Sequence, residues 1–380
     1  MKIGIVCYPT FGGSGVVATE LGKGLADQGH QVHFVTYNQP ARLDLFSENL
    51  FYHEVSVSNY PLFDFQPYEL ALASRLVDVV RFEKLDVLHV HYAIPHASAA
   101  FMAKQILMTY GIYIPVVTTL HGTDITLVGR DRTFKPVVTF SINQSDGVTA
   151  VSEHLRNDTY RFFEIENDIR VIPNFIDLKR FSLKPKDHFK KAIAPAGEKI
   201  VVHTSNFRKV KRTADVIKIF AKLIEKIPAK LLMVGDGPDR SYCEQLSRDL
   251  GVNQDVRFLG KQDAIEEILS VSDLFLMPSE SESFGLAALE AMACKVPVIT
   301  SNAGGLPELN LDGVTGFLKD VGDTDGMAEK AIYILEDEER LNNFKENALA
   351  RAKEFDLAKI LPVYENYYVE VIERCKERVV

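Results

Sequence analysis

The sequence predicts an α/β protein made of two doubly wound parallel sheets. Three observations lead there. Short β-branched runs alternate with stretches of helical spacing through most of the chain. The strand-like runs are near-continuously apolar, as strands covered on both faces must be. The chain also has 380 residues, 46% of them hydrophobic, which is more than one core organises, so a division into two domains is expected.

In the first half, Ile3–Cys7, Val32–Thr36, Val87–Val90, Val116–Leu120 and Val148–Val151 read as buried strands. Gly15–Gln28, Tyr68–Phe82 and Ser98–Thr109 carry the helical period between them. The second half repeats the scheme. Its strands are expected at Ile200–Thr204, Lys230–Val234, Val256–Leu259, Leu274–Met277 and Val296–Thr300. Its helices are expected at Arg212–Glu225, Ser241–Asp249 and Phe284–Ala293. A boundary is expected near Pro173-Asn174-Phe175-Ile176-Asp177, ahead of a lysine-rich stretch to Gly197, giving domains 1–175 and 176–359. Asp356 to about Glu377 reads as a last helix that either caps the second domain or crosses back to the first. Doubly wound sheets bind ligands at the carboxyl ends of their strands, and two of them are expected to turn those ends toward one cleft.

Charge and composition narrow the partners. A net charge of −9 argues against nucleic acid. Residues 1–175 hold 13 Lys and Arg against 18 Asp and Glu, which argues against an anionic lipid surface. No apolar run approaches the roughly 20 residues needed to span a bilayer, so no stable membrane insertion is expected. Met1–Cys7 is a strand running into a turn rather than a signal peptide. The four cysteines, Cys7, Cys243, Cys294 and Cys375, show neither metal spacing nor an obvious pairing, and a reducing cytoplasm is the simplest home. Small-molecule substrates are expected, and a homo-oligomer is left open.

Several strand-end loops carry chemistry. Gly13, Gly15 and Ala18 in the first loop fit the G-x-G-x-x-G/A dinucleotide fingerprint. That fingerprint wants an acidic residue at the end of the second strand, and Thr36-Tyr37-Asn38-Gln39-Pro40 offers none. The loop is therefore read as one that lets a phosphate or an acceptor approach the backbone, against the plainer reading of glycines that only serve packing. Ser279-Glu280-Ser281-Glu282-Ser283-Phe284-Gly285 leads into a helix carrying Glu290, and free N–H groups at such a start suit an anionic, hydroxyl-rich ligand. Eight helical residues would advance about 12 Å, too far for a glycosidase pair, whose carboxyls stand about 5–9.5 Å apart. Glu282 and Glu290 are better read as separate acceptors for separate hydroxyls.

Arg208, Lys209, Lys211 and Arg212 follow a strand and match a diphosphate, against the reading of a solvated basic turn. His121 in His121-Gly122-Thr123-Asp124 can hydrogen-bond a substrate or act as acid or base. His89, His91 and His96 have no clear carboxylate partner, so no metal is expected. Gly235-Asp236-Gly237-Pro238 and Gly304-Gly305-Leu306-Pro307-Glu308 complete the rim.

Glu282 and Glu290, seven residues apart, form an E-x7-E motif. With the glycine-rich first loop, the His121-Gly122 turn and the two later glycine turns, the chain resembles the family-four retaining glycosyltransferases over nearly its whole length. That resemblance implies the GT-B fold, a final helix of about 360–380 crossing back to the first domain, a nucleotide-sugar donor and no metal or other cofactor. It implies an acceptor-binding first domain and a nucleotide-sugar-binding second. Longer blocks narrow it. Cys7-Tyr8-Pro9, His91-Tyr92-Ala93-Ile94-Pro95-His96-Ala97, Thr118–Thr126 and Ser205–Arg212 are similar to members that join N-acetylglucosamine from UDP-N-acetylglucosamine to the hydroxyl of L-malate, the first step of bacillithiol synthesis. Another acceptor, or an epimerase on the same fold, is the alternative.

The resemblance puts Glu290 on the ribose and Glu282 near the donor sugar. Ser283, Phe284, Gly285 and Leu286 would lie along sugar and phosphates, and Lys211 on the diphosphate. The family's usual arginine is replaced by Asn206, so Arg208 would supply the missing charge and Asn206 would face the acceptor. Gly13, Ser14 and Gly15 would approach the donor, His121 would sit by its sugar, and Ser14, Tyr92, Thr119 and Asn206 would receive malate. His121, Lys211, Arg208 and Glu282 are thereby the catalytic set.

Overall fold

The structure, a computed structural model, describes residues 1–10, 12–43, 47–57, 66–127, 131–182 and 187–379. Residues 183–186 of the lysine-rich stretch lie outside the described residues. The chain forms two units, Met1–Asn174 with Leu357–Val380, and Phe175–Asp356.

Unit 1 contains strands β1 (Lys2–Val6), β2 (Gln31–Thr36), β3 (Leu50–Glu54), β4 (Val87–His91), β5 (Val116–Leu120), β6 (Gly147–Ala150) and β7 (Ile169–Val171). They pair in parallel in the order β3-β2-β1-β4-β5-β6-β7, reversing direction around β1 as a doubly wound sheet does. Helices α1 (Gly13–Asp27), α2 (Tyr68–Glu83), α3 (Ser98–Met108), α4 (Lys135–Asn143) and α5 (Glu153–Phe162) connect them. Every residue of β4 and β5 is buried, which accounts for their apolar and β-branched composition. On one side, Leu72, Leu76 and Val80 of α2 and Ala100, Ala103 and Leu107 of α3 form a core with Val6, Val35, Leu88 and Val90 of the sheet.

Unit 2 contains β8 (Lys199–Thr204), β9 (Ala229–Val234), β10 (Val256–Gly260), β11 (Leu274–Met277), β12 (Val298–Ser301) and β13 (Gly316–Lys319), parallel in the order β10-β9-β8-β11-β12-β13. Its helices are α6 (Asp187–Ile193), α7 (Thr213–Ile224), α8 (Arg240–Asp249), α9 (Ile265–Leu269), α10 (Leu286–Ala293), α11 (Leu306–Leu309), α12 (Thr324–Leu335) and α13 (Glu338–Ala352). Phe207, Ile217, Phe220 and Leu223 share a core with Met327, Ala331 and Ile334. The ends of the unit meet where the Ile176 N–H donates to the Phe355 carbonyl at 2.9 Å.

The last helix, α14 (Leu357–Val379), belongs to unit 1. Tyr364 and Tyr368 are fully buried. The Tyr368 hydroxyl hydrogen-bonds His89 Nδ1 at 2.7 Å, and the Tyr367 hydroxyl donates to the Val148 carbonyl at 3.1 Å. Leu361 lies against Gly24 of α1, where a Cβ would come within 2.8 Å of it.

The expected parallel, doubly wound architecture is present in both units. Several elements differ from the sequence reading. Helix α10 begins at Leu286, not Phe284, with Gly285 as its N-cap at φ +100°. Only the second half of the Glu282-to-Glu290 interval is therefore helical, and the 12 Å rise estimated for it does not apply. Strand β12 starts at Val298 rather than Val296. Strands β3, β7 and β13 and helices α4, α5, α6, α9, α11, α12 and α13 are additional.

Tyr368→Phe should leave a ring nitrogen of the fully buried His89 without its partner. A destabilisation of about 1–3 kcal/mol is expected, read as a lower urea midpoint; an unchanged midpoint would show that the bond contributes nothing.

Candidate active site

The carboxyl ends of β1, β4 and β5 form the rim of unit 1. Helix α1 starts with no side-chain cap and no acidic residue in its first turn, so the N–H groups of Gly13 and Ser14 lack intrahelical acceptors and face an exposed loop. Gly15 has a packing role: a Cβ there would stand 2.4 Å from the Tyr8 carbonyl oxygen and 2.5 Å from that of Thr10. The Tyr92 hydroxyl donates to Ser14 Oγ at 2.7 Å, and the Tyr92 N–H donates to the Thr119 carbonyl at 2.9 Å. Tyr92 adopts φ +86°, a conformation that costs a non-glycine residue and needs support from its surroundings. That support includes Asp124, whose carboxylate accepts from the Ala93 N–H at 2.9 Å and the Gly122 N–H at 3.0 Å. Burial pushes the Asp124 carboxyl up to about 6.

Beneath this rim lies a buried polar ladder. His91 Nδ1 and His121 Nε2 are 2.8 Å apart, and His89 Nε2 and Thr119 Oγ1 are 2.7 Å apart. Thr119 Oγ1 also meets Thr149 Oγ1 at 2.6 Å. Burial holds the ladder neutral, pushing His89 and His121 down to about 3 and His96 to about 4. Thr119 is a correction to the acceptor set: its side chain is fully buried and bonded within the ladder, and only its carbonyl reaches the rim, through Tyr92.

In unit 2 the loop after β8 and the loop after β11 are joined. Lys211 Nζ donates to Glu282 Oε1 at 2.7 Å, and Ser279 Oγ donates to the same oxygen at 2.8 Å. The Glu280 N–H donates to the Val210 carbonyl at 2.8 Å. Both loops are backed by glycine turns. Gly304 (φ +61°) lies where a Cβ would be 1.9 Å from the Glu282 carbonyl oxygen, and Gly235 (φ +117°) where it would be 1.8 Å from that of Ser205. The Gly305 N–H donates to the Glu282 carbonyl at 2.8 Å, and the Asp239 N–H to that of Phe207 at 3.0 Å.

Glu282 and Lys211 are half-buried, and Asn206 and Arg208 are exposed. Among the described residues Arg208 has no ion-pair or side-chain hydrogen-bond partner, which leaves its guanidinium open to an anion. Arg212 is ion-paired with Asp215, which it meets through Nε at 2.6 Å. Helix α10 has no side-chain cap and no acid in its first turn, so the N–H groups around Gly285 and Leu286 suit an anion. The Phe284 ring packs inward on Phe355, with centroids 5.4 Å apart, and offers only its backbone. Glu290 is half-buried on α10 rather than enclosed among the alanines and Met292.

Two supports were not anticipated. His203 Nδ1–H donates to the Leu276 carbonyl at 2.8 Å, so its bare Nε2 accepts from Ser205 Oγ at 2.8 Å. Ser205 Oγ in turn accepts from the Phe207 N–H at 3.3 Å, fixing the start of the cationic loop. Ser279 likewise orients Glu282. The spacing of His203 two residues from Ser205, and of Ser279 three from Glu282, was the available signal.

Among the described residues, the histidine and carboxylate group with metal-ligand spacing is His33, His53 and Glu83, not the trio of His89, His91 and His96. There His33 Nδ1 and His53 Nε2 already bond to each other at 3.0 Å. A surface depression of about 580 Å³ beside α4, lined by Arg132, Lys135, Phe140 and Glu164 among others, shares no residue with either rim.

Comparison with known proteins matches residues 11–180 to the model "Glycosyltransferase Family 4" and residues 184–351 to "Glycosyl transferases group 1". The N-acetyl-alpha-D-glucosaminyl L-malate synthase of Bacillus anthracis is 49% identical over 374 residues, covering 98% of this chain and 97% of that one. The chain belongs to glycosyltransferase family 4. A more distant relative, an uncharacterized glycosyltransferase of Methanocaldococcus jannaschii, is 28% identical over 94% of this chain and 96% of its own. HepE of Anabaena, solved with UDP and glucose, superposes with a TM-score of 0.81 at 22% identity, covering 97% of this chain and 99% of that one. Sucrose-phosphate synthase of Thermosynechococcus elongatus gives 0.80 at 22%, covering 98% and 99%. The fold of this glycosyltransferase is GT-B. No helix among its described residues is long and apolar enough to cross a membrane.

Gly304→Ala should displace the Glu282 backbone by an ångström or more, and transfer is expected to fall about 10²-fold. Steady-state assay of the folded variant checks this, and near-normal turnover would show that the loop position is not critical.

Acid should weaken unit 1. His89, His96 and His121 titrate below the roughly 6.5 of an unfolded histidine, so their stabilisation is complete above that value and is lost as pH falls toward about 3 to 4. Asp124 has the opposite sign, stabilising most below the ordinary carboxylate range and losing this as pH rises through about 6. Three rings outweigh one carboxyl, so the melting midpoint should drop between pH 7 and pH 4; a rise would contradict the assignment.

Proposed function

We propose that the chain is a retaining glycosyltransferase that moves N-acetylglucosamine from UDP-N-acetylglucosamine to the hydroxyl of L-malate, releasing UDP, as the first step of bacillithiol synthesis. The near-full-length match to the Bacillus anthracis synthase carries this choice of substrates. The nucleotide sugar is assigned to unit 2. There Glu290 takes the ribose hydroxyls, Lys211 and Arg208 the diphosphate, and Glu282 with the backbone of Ser283, Phe284, Gly285 and Leu286 the sugar. Malate is assigned to Ser14 and Tyr92 of unit 1, where the loop amides of Gly13 and Ser14 are open to an anion.

The reaction forms a bond from the malate oxygen to the anomeric carbon and breaks the bond from that carbon to the phosphate oxygen. Both events occur on one face of the sugar, and the malate proton passes to the leaving phosphate. No protein carboxylate has to act as base. The protein stabilises negative charge growing on UDP and holds the two oxygens in place. Lys211 suits the first task because Glu282 and Ser279 pre-position its ammonium group. Protein cations supply that charge, so no metal is required, and the setting proposed is the cytoplasm.

Incubation with UDP-N-acetylglucosamine, with and without L-malate, tests the proposal by UDP release. Release should depend on malate; turnover indifferent to malate, or absent with it, would sink the reading. Lys211→Ala should lower transfer about 10²–10³-fold, and near-normal rates would remove Lys211 from the diphosphate.

A further inference from the structure

We propose that His91 is a positioning residue that fixes the tautomer of His121, keeping its proton on Nδ1 so that it presents a hydrogen-bond donor at the rim of unit 1. The catalytic readout rests on the transferase function proposed above; the tautomer rests on the contact between the two rings and on their burial.

His91 is the last residue of β4 and fully buried, while His121 follows β5 and keeps 8% of its surface exposed. His91 Nδ1 and His121 Nε2 are 2.8 Å apart, within normal hydrogen-bond range. Burial pushes both rings to their neutral forms, so each carries one proton. Two arrangements satisfy the short contact. In one, His91 donates from Nδ1 and its Nε2 is bare. In the other, His121 donates from Nε2 and the His91 proton sits on His91 Nε2.

The second arrangement is the worse one. His91 Nε2 is buried and has no hydrogen-bond partner, so a proton there would be an N–H with nothing to receive it. Moving that proton to Nδ1 gives it an acceptor in His121 and leaves only a lone pair unpartnered. The adjacent His96 makes the same choice. Its Nδ1 faces the His91 carbonyl, which can only accept, so its proton is on Nδ1, and its buried Nε2 is bare and unpartnered too.

His121 then accepts through Nε2 and must carry its proton on Nδ1. The ring keeps 8% of its surface exposed, at the carboxyl end of β5 beside the rim. Tyr92 closes one side of the same ring, with centroids 5.2 Å apart. A neutral N–H donor at this place suits a hydroxyl or carbonyl oxygen. It does not suit acid–base work near neutral pH, because burial keeps His121 from charging.

The test uses the full chain labelled with 15N at histidine and two-bond nitrogen–proton correlations. His121 should show a protonated Nδ1 and a bare Nε2, and the reverse pattern overturns the proposal. His91→Asn keeps a donor near the Nδ1 position and should retain kcat within about threefold, while His91→Leu should lose about 10²-fold in kcat with a smaller change in donor KM. Equal kcat for the two variants, or an unchanged single tautomer of His121 in His91→Leu, also overturns it. Should His91→Leu fail to fold, the wild-type spectrum and the Asn variant decide. A chain that does not transfer to malate would defeat the proposed function, yet the nitrogen pattern of His121 would still decide the tautomer.

Discussion

Two backbone segments in unit 2 lie closer together than any β-carbon permits, and the placing of its functional side chains follows from that. The carbonyls of Glu282 and Ser205 press onto Gly304 and Gly235, which sit at positive φ with no side chain in the way. Hydrogen bonds from Gly305 to Glu282 and from Asp239 to Phe207 close the same contacts. Each loop is thus located from behind, by main chain against main chain, and its position owes little to flexible side chains. The front of each loop is left to chemistry. Lys211, Glu282 and the open first turn of α10 then need small adjustments when a ligand arrives, which is how a site avoids spending binding energy on ordering itself.

Unit 1 solves a different problem. Its rim holds Tyr92 in an unfavourable backbone conformation and His121 in a fixed orientation, and both depend on polar groups buried below them. Such groups are tolerated only when they are neutral or fully bonded. Here α14, which arrives from the far end of the chain, supplies part of the bonding: Tyr368 reaches His89, and His89 reaches Thr119. The final helix is therefore part of the chemical support of the rim as well as of its packing. Replacing any one of these partners exposes the next to an unmet hydrogen bond.

How much of this was legible follows from what each feature depends on. Central strands were located within a residue or two because burial on both faces forces a continuous apolar run. The edge strands β3, β7 and β13 were not, because half-exposed residues such as those of Leu50–Glu54 carry no such run, whereas the edge strand β10 was found at Val256. The Lys211 and Glu282 loops could be placed because each follows a strand and precedes a helix, an order that sequence shows directly. Their ion pair could not, since 71 residues separate the partners. Thr119 was misassigned for a related reason. A strand-end threonine looks available until a ladder assembled from β4, β6 and α14 covers it. The ion pair of Arg212 was legible, since Asp215 stands three residues on, at the spacing of helical neighbours.

Asn206 shows how the scaffold and the specificity are separated. The family resemblance expects an arginine at this place. The loop does not depend on that side chain, because its course is set by Ser205, by the buried Phe207 ring and by the Asn206 carbonyl lying 2.1 Å from where a Cβ on Gly237 would be. The Asn206 side chain itself is exposed, as is that of Arg208 two residues on. A change from arginine to asparagine therefore removes a charge from the rim without moving the backbone that holds Lys211, and Arg208 can return that charge from a neighbouring position. A loop braced in this way can exchange the residues it exposes at Asn206 and Arg208 while Lys211 stays where it is. That is the physical condition under which one fold serves transferases with different acceptors.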